Sequence, residues 1–140
     1  MASSVDSSIE EILGSFRTIA IVGLSPKPER PSNAVARYMI DAGYTVIPVN
    51  PGQNSILDRT CYPSLSSMPP EVAETVEVVN IFRKPADIPP VVDEAIAIGA
   101  KAVWMQLGLT NGPAATKARE AGLIVVENRC ISVEHQRRLN

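Results

Sequence analysis

Short apolar runs recur along the chain at intervals of about 25 residues. Each is continuous and rich in β-branched residues, which is typical of strands covered on both faces of a parallel sheet. The runs span residues 19–22, 45–49, 76–82, 102–105 and 123–126. A weaker candidate covers residues 56–62. The pattern therefore predicts five strands and allows a sixth.

The segments between these runs carry helical periodicity. Val35, Tyr38, Met39 and Ala42 follow the i, i+3, i+4, i+7 spacing of one helix face. We expect Ser32 to cap this helix and Gly43 to end it. Two more helices are predicted, one with Pro89 and Pro90 in its entry turn and Gly99 as its terminator, and an Ala-rich one over residues 111–122.

The amino-terminal segment also predicts a helix. Ser8 and Glu11 have the three-residue spacing of a capping box, so the helix is expected to begin at Ser8. Its apolar residues Ile9, Leu13 and Phe16 would then pack on the sheet.

Alternation of strand and helix at this spacing predicts one fold class. It is a doubly wound parallel α/β sheet, Rossmann-like, with five to six strands in a three-layer αβα arrangement. Residues 1–140 form a single domain, onto which the helix within residues 1–15 packs. The length of 140 residues is ordinary for one domain.

Charge and cysteine content exclude several function classes. With 13 basic and 15 acidic residues, the net charge of −2 argues against nucleic acid or a membrane surface as partner. No apolar stretch approaches the ~20 residues that span a bilayer, and the amino terminus lacks the features of a signal peptide. Two cysteines and one histidine are too few for a structural zinc site. These observations predict a cytoplasmic protein with reduced thiols.

The loop after the first strand is the strongest candidate for ligand binding, because open α/β sheets bind ligands beyond the carboxyl ends of their strands. Gly23 would let the backbone approach a ligand closely. Lys27 and Arg30 add positive charge, and the helix opening near Ser32 offers free N–H groups to an anion. Together they suit a pyrophosphate. The alternative is a surface turn stiffened by prolines, with solvated charges.

The third apolar run ends in Phe82, and Arg83 and Lys84 follow it. This segment is expected to face the Gly23 loop across the sheet reversal. Its cations would add phosphate contacts, with Phe82 against a base or a pantetheine arm. A solvated basic pair beside a core aromatic is the alternative. Trp104 lies within a predicted strand and is expected in the core.

Standard dinucleotide and P-loop fingerprints do not occur. A GxGxxG motif starting at Gly23 would need glycines where Ser25 and Pro28 stand. The second strand ends in Val49 and Asn50, without the acidic residue that binds a ribose hydroxyl. An NAD(P)-dependent or other nucleotide-using enzyme is therefore the second hypothesis.

No catalytic set is predicted. His135 is alone in the last predicted helix, and Cys130 is expected to be a structural cysteine, although a mixed disulfide with a thiol ligand is the alternative. Asp93 and Glu94 are adjacent on a helix and face different directions, so they do not form an acid–base pair.

Five segments together resemble one family. GLSPKPERPSNAVARYM, GYTVIPVNP, VNIFRKP, AVWMQLG and ENRCISVEH, in this order, are similar to the small stand-alone CoA-binding proteins. These resemble the amino-terminal CoA-binding domain of the succinyl-CoA synthetase α subunit. The similarity covers about residues 15–139.

The resemblance implies a Rossmann-like domain that binds coenzyme A or acyl-CoA through its ADP moiety, with no established reaction. It places Gly23, Leu24, Ser25 and Lys27 in a pyrophosphate loop, and Val49, Asn50 and Pro51 beside the adenosine. Phe82, Arg83, Lys84 and Pro85 match the segment opposite, and Gln106, Leu107 and Gly108 would lie beside the pantetheine. A third hypothesis, an interaction subunit whose crevice serves a partner protein, stays open.

Overall fold

A computed structural model describes residues 4–139, which form a five-stranded parallel sheet with helices on both faces. The helices are α1 (Ser4–Ser15), α2 (Pro31–Asp41), α3 (Pro70–Ala73), α4 (Ile88–Ala97), α5 (Gly112–Glu120) and α6 (Ile131–Arg137). The strands are β1 (Thr18–Val22), β2 (Thr45–Val49), β3 (Ser55–Ile56), β4 (Arg59–Thr60), β5 (Val78–Ile81), β6 (Ala102–Met105) and β7 (Ile124–Val126). A 3-10 turn, Pro85–Asp87, precedes α4.

The sheet order is β2-β1-β5-β6-β7, and all neighbouring pairs are parallel. Two apolar clusters cover its faces. One contains buried residues of α1, α2 and α6, and the other contains buried residues of α4 and α5 with α3 packed beside them. The predicted doubly wound, three-layer αβα fold is therefore confirmed.

β1 shows why the apolar runs are continuous. Ile19 and Ile21 point into one cluster, while Ala20 and Val22 point into the other. Since successive side chains alternate between faces, a strand with helices on both sides needs apolar residues at every position.

The predicted strand at residues 56–62 is wrong as a member of the main sheet. It forms a small antiparallel hairpin, β3–β4, whose turn residues Leu57 and Asp58 have φ values of 53° and 62°. Two positive φ angles are those of a tight type I′ hairpin turn, which usually contains Gly or Asn. Because Leu57 and Asp58 are neither Gly nor Asn, the sequence did not indicate this turn. Only Tyr62 reaches the main sheet, through a single bridge to Val49.

Two predicted helix starts are also wrong. α1 already includes Ser4, so Ser8 lies in the helix interior and does not cap it, although Ile9 and Leu13 are buried as expected. α2 begins at Pro31, whose fixed φ suits a first helical position. Ser32 is therefore inside the helix and does not cap it.

Candidate functional site

The sheet reversal lies between β1 and β5, and the loops after these two strands are in close contact. Phe82 N donates to Val22 O at 2.8 Å, and Gly23 N donates to Val49 O at 2.8 Å. Gly23 has a φ of +91°, and a Cβ atom at this position would overlap the carbonyl oxygen of Phe82. Glycine is therefore required here both by the backbone conformation and by the closeness of the Phe82 segment.

The loop after β1 is held by its own hydrogen bonds. Ser25 N donates to Ser32 Oγ at 2.9 Å, and Asn33 Nδ2 donates to Ser25 O at 2.9 Å. Lys27 N donates to Ser25 Oγ at 3.1 Å. Ser32 thus fixes the loop in front of α2, which explains why a buried serine occupies its second position.

These bonds change how the loop can hold an anion. Pro31 has no N–H, and the amides of Asn33 and Ala34 both donate to Arg30 O, at 3.1 and 3.2 Å. The start of α2 therefore offers fewer free donors than a helix amino terminus usually does. Lys27 and Arg30 are exposed, so an anion at this loop would be held chiefly by side-chain cations.

Asn50 connects the loops after β1 and β2. Its Nδ2 donates to Leu24 O at 2.8 Å, and its N donates to Tyr62 O at 2.9 Å. Leu24 and Val49 are buried, so their side chains belong to the core. Pro51 is exposed at the start of the next turn.

A cleft of about 810 Å³ opens beside the reversal, between the start of α2, the loops that follow β5 and β6, and the residue that precedes α6. It is lined by Pro31, Val35, Phe82, Arg83, Lys84, Asp87, Gln106, Leu107, Leu109 and Cys130. The structure thus brings five of the predicted site residues, Phe82, Arg83, Lys84, Gln106 and Leu107, into one cleft. The other predicted residues, Gly23, Leu24, Ser25, Lys27, Arg30, Ser32, Val49, Asn50, Pro51, Pro85 and Gly108, do not line it.

Four wall residues were not predicted from the sequence as site residues: Pro31, Val35, Asp87 and Leu109. Val35 was expected only on the buried face of α2. Leu109 had a detectable signal, because apolar residues flank Gly108 in a loop that is otherwise polar. Asp87 offered none, since a single acidic residue before a helix is common.

Arg83 and Lys84 supply the positive charge of the cleft. Within the described part of the chain, no carboxylate lies within ion-pair distance of either side chain. Asp87 contributes one negative charge to the same lining, and its N donates to Lys84 O at 2.9 Å. The cleft therefore combines two unpaired cations with one carboxylate, which favours an anionic ligand.

Gln106 is buried at the floor of the cleft. Its Oε1 accepts hydrogen bonds from Asn80 Nδ2 and Ile131 N, both at 3.4 Å. Asn80 lies in the middle of β5 with its Oδ1 unpartnered among the described residues. This network ties the ends of β5 and β6 to the start of α6.

Two further bonds fix the surrounding loops. Gly108 N donates to Asn128 Oδ1 at 2.7 Å, so this predicted site amide is engaged within the protein. Trp104 is fully buried, and its Nε1 donates to Arg129 O at 2.8 Å. The expectation that Trp104 belongs to the core is confirmed.

The chemically reactive side chains lie apart from one another. His135 Nδ1 is 2.9 Å from Tyr38 Oη, and its ring meets the edges of Tyr38 and Tyr44. Cys61 is buried and Cys130 half-buried, and they form no disulfide. Burial raises the pKa of the Cys61 thiol, with a smaller opposing effect from its hydrogen bond to the Asn50 backbone.

In residues 4–139, no group of three or more His, Cys, Asp or Glu side chains is placed to hold a metal ion. None of the helices in this range combines the length and the apolar character needed to cross a bilayer.

A doubly wound parallel sheet with a cation-bearing cleft at its reversal defines a Rossmann-like domain, a fold in which ligands usually bind at that reversal. The family described as CoA binding domain matches residues 17–136. The chain therefore belongs to the CoA-binding domain family, as the sequence resemblance had indicated.

Several known proteins are similar along nearly the whole chain. The uncharacterized protein YneT of Bacillus subtilis (strain 168) is 37% identical over 135 residues, which cover 96% of this chain and 97% of that protein. A hypothetical protein from Pyrococcus horikoshii OT3 is 45% identical with a TM-score of 0.90, covering 100% and 98% of the two chains. The cell-free ID.343 protein from Thermus thermophilus is 33% identical with a TM-score of 0.85, covering 94% and 97%.

Proposed function

We propose that this protein binds coenzyme A through its ADP and pyrophosphate portion and does not convert it chemically. The single observation that carries the proposal is the convergence of the Gly23 and Phe82 segments at the sheet reversal, beside a cleft whose cations have no carboxylate partner among residues 4–139. Membership of the CoA-binding domain family supports the choice of CoA over other nucleotides.

In this proposal the two loops have different roles. Lys27 and Arg30 are exposed on the loop after β1, and they meet the diphosphate and the ribose phosphate from one side. Arg83 contacts the diphosphate from the opposite side, where its guanidinium forms charge-assisted hydrogen bonds with phosphate oxygens. The pantetheine arm then runs along the cleft past Phe82 and Gln106.

The absence of conversion is supported by the arrangement of reactive groups in the described chain. Cys130 is the nucleophilic side chain in the cleft lining, while His135 bonds to Tyr38 and faces Tyr44. Among the described residues the Cys130 thiol hydrogen-bonds to the Ser132 hydroxyl, at 3.3 Å, and to no basic side chain, so no base is placed to activate it.

Calorimetric titration tests the binding. CoA, dephospho-CoA, NAD⁺ and NADP⁺ are compared at one fixed salt concentration, because phosphate contacts weaken with ionic strength. We expect CoA to bind with a Kd on the order of 1 μM, about −8 kcal/mol, with both dinucleotides inert. Tight NADP⁺ binding without a CoA response would overturn the proposal.

Release of the free thiol from acetyl-CoA tests the proposal that the protein does not convert its ligand chemically. The rate in the presence of the protein should equal the rate in buffer alone. A protein-dependent release that continues over many turnovers would show that the protein is an enzyme.

A further inference from the structure

The walls of the cleft are more apolar than an ADP group requires. Val35, Phe82, Leu107, Leu109 and Cys130 face it, together with the ring of Pro31. A diphosphate gains nothing from such walls, because contact with apolar surface removes water from its charges without replacing the lost hydrogen bonds. This part of the cleft therefore suits an uncharged, apolar portion of a ligand.

Leu107 is the most exposed of these residues. Its side chain is 67% exposed, although it lies in the short loop after β6, next to buried Gln106. A single exposed leucine is common on protein surfaces. Leu107, however, is continuous with the apolar wall formed by Leu109 and Phe82, so a ligand in the cleft would cover it.

The charge distribution identifies what kind of apolar ligand fits. Arg83 and Lys84 line the same cleft as the leucines, and no carboxylate in residues 4–139 pairs with either of them. A ligand complementary to both features has an anionic head and an uncharged apolar end. A fatty acid lacks the extended polyanionic head. Free CoA brings its pantetheine arm past Phe82, but it ends in a thiol and has no apolar group to extend over Leu107 and Leu109.

Gln106 adds a polar contact between these two parts. Its Oε1 is held by Asn80 Nδ2 and Ile131 N, and Gln106 also lines the cleft. The opposite side of the carboxamide, Nε2, is then the donor available to a carbonyl oxygen of the ligand.

We propose that the cleft selects the acyl thioester form of CoA, with a short apolar acyl group packed against Leu107, Leu109 and Phe82. The proposal rests on the CoA binding proposed above and adds the preferred form of the ligand and the residues that determine it. The binding energy of the acyl group comes from apolar surface removed from water, where each buried methylene is worth roughly a fourfold gain in affinity.

The test compares CoA with butyryl-CoA by calorimetry on the full chain. For the wild-type protein, butyryl-CoA should bind about tenfold or more tightly than CoA, since several carbons become buried. Leu107→Ser should reduce this ratio to below about threefold, and because the ratio compares the two ligands on the same variant, it is independent of any change in the Kd for CoA itself. Because Leu107 is exposed, the substitution should not unfold the protein.

Leu139→Ser is the matched control. Leu139 is 65% exposed, nearly the same as Leu107, but it borders a different pocket near Arg17 and Tyr44. This variant should keep the wild-type ratio. Equal or weaker binding of butyryl-CoA by the wild-type protein would overturn the acyl proposal while leaving CoA binding intact. Failure of both ligands to bind would instead remove the CoA proposal itself.

Discussion

Gly23 and Phe82 are packed so closely that a side chain on Gly23 would collide with the Phe82 carbonyl oxygen. This contact joins the loops that follow two neighbouring strands of the sheet, β1 and β5. The loop after β1 and the loop after β5 are therefore packed directly against each other. A substitution at Gly23 should change the positions of both loops.

Gly23→Ala should be strongly destabilising. The positive φ costs about 1–2 kcal/mol for any residue with a Cβ, and the Phe82 segment must also shift. Gly122→Ala is the matched control, because Gly122 has the same φ of +91° and open space around it. Thermal unfolding should show a Tm for Gly23→Ala at least about 3 °C below that of the control. Equal Tm values would mean that the contact with Phe82 is not constraining.

Arg83→Ala should weaken CoA binding without loss of stability. Removal of a charge-assisted hydrogen bond to phosphate costs about 1.5–3 kcal/mol, or roughly 10- to 150-fold in Kd. Arg137, an exposed arginine at the far end of α6, provides the control substitution Arg137→Ala. Calorimetry should find the control unchanged, and an unchanged Kd for Arg83→Ala would remove Arg83 from the site.

Cys130 provides a direct measure of cleft occupancy. It is half-buried in the cleft lining, so iodoacetamide should alkylate it readily in the free protein and slowly in the presence of CoA. At ~90% occupancy the rate should fall about tenfold, if the bound form does not react. Mass spectrometry of the modified peptide follows the reaction.

Cys61 is the internal control for this measurement. Its thiol is buried and its pKa is raised by that burial, so less of it is the reactive thiolate at neutral pH. Its alkylation should be slow with or without CoA and should increase with pH. If CoA leaves the Cys130 rate unchanged, the ligand does not occupy the cleft.

Ser32→Ala should destabilise the protein through the loop rather than through the helix. The substitution leaves the Ser25 amide without its acceptor, which costs about 1–3 kcal/mol if no water replaces it. Ser8→Ala is a useful comparison, because Ser8 lies inside α1, where alanine should be neutral or stabilising by up to about 0.5 kcal/mol. Denaturant unfolding measures both. A decrease of about 1 kcal/mol in the free energy of unfolding of Ser8→Ala would instead indicate that Ser8 caps the amino terminus of α1.

The strands could be predicted because apolar runs directly report burial on two faces. Residues 45–49 and 102–105 were predicted with the bounds they have in the structure. The β3–β4 hairpin could not be predicted in this way. Leu57 and Asp58 in its turn both adopt positive φ values, which are uncommon for residues other than glycine. The short α3 carries too few residues to show a helical period.

The site was predicted only in part for a similar reason. Sequence reasoning identifies which loops lie at the carboxyl edge, so Arg83 and Gln106 were found. It does not reveal that Asn80, in the middle of a strand, reaches Gln106, because that contact depends on the pairing of β5 with β6. Nor does it show that Ser32 accepts a hydrogen bond from the amide of Ser25, which lies in the loop predicted to hold the pyrophosphate.

A ¹H–¹⁵N NMR titration that maps CoA binding on the backbone amides tests most directly whether the ligand binds at the sheet reversal. We predict shifts that saturate with added CoA and that cluster at residues 23–30, 82–84 and 106–109. The amides around Arg17, Tyr44 and His135, which border a separate pocket, should stay unmoved. Shifts confined to that second pocket, or no shifts at millimolar CoA, would contradict the assignment of the ligand site to the sheet reversal.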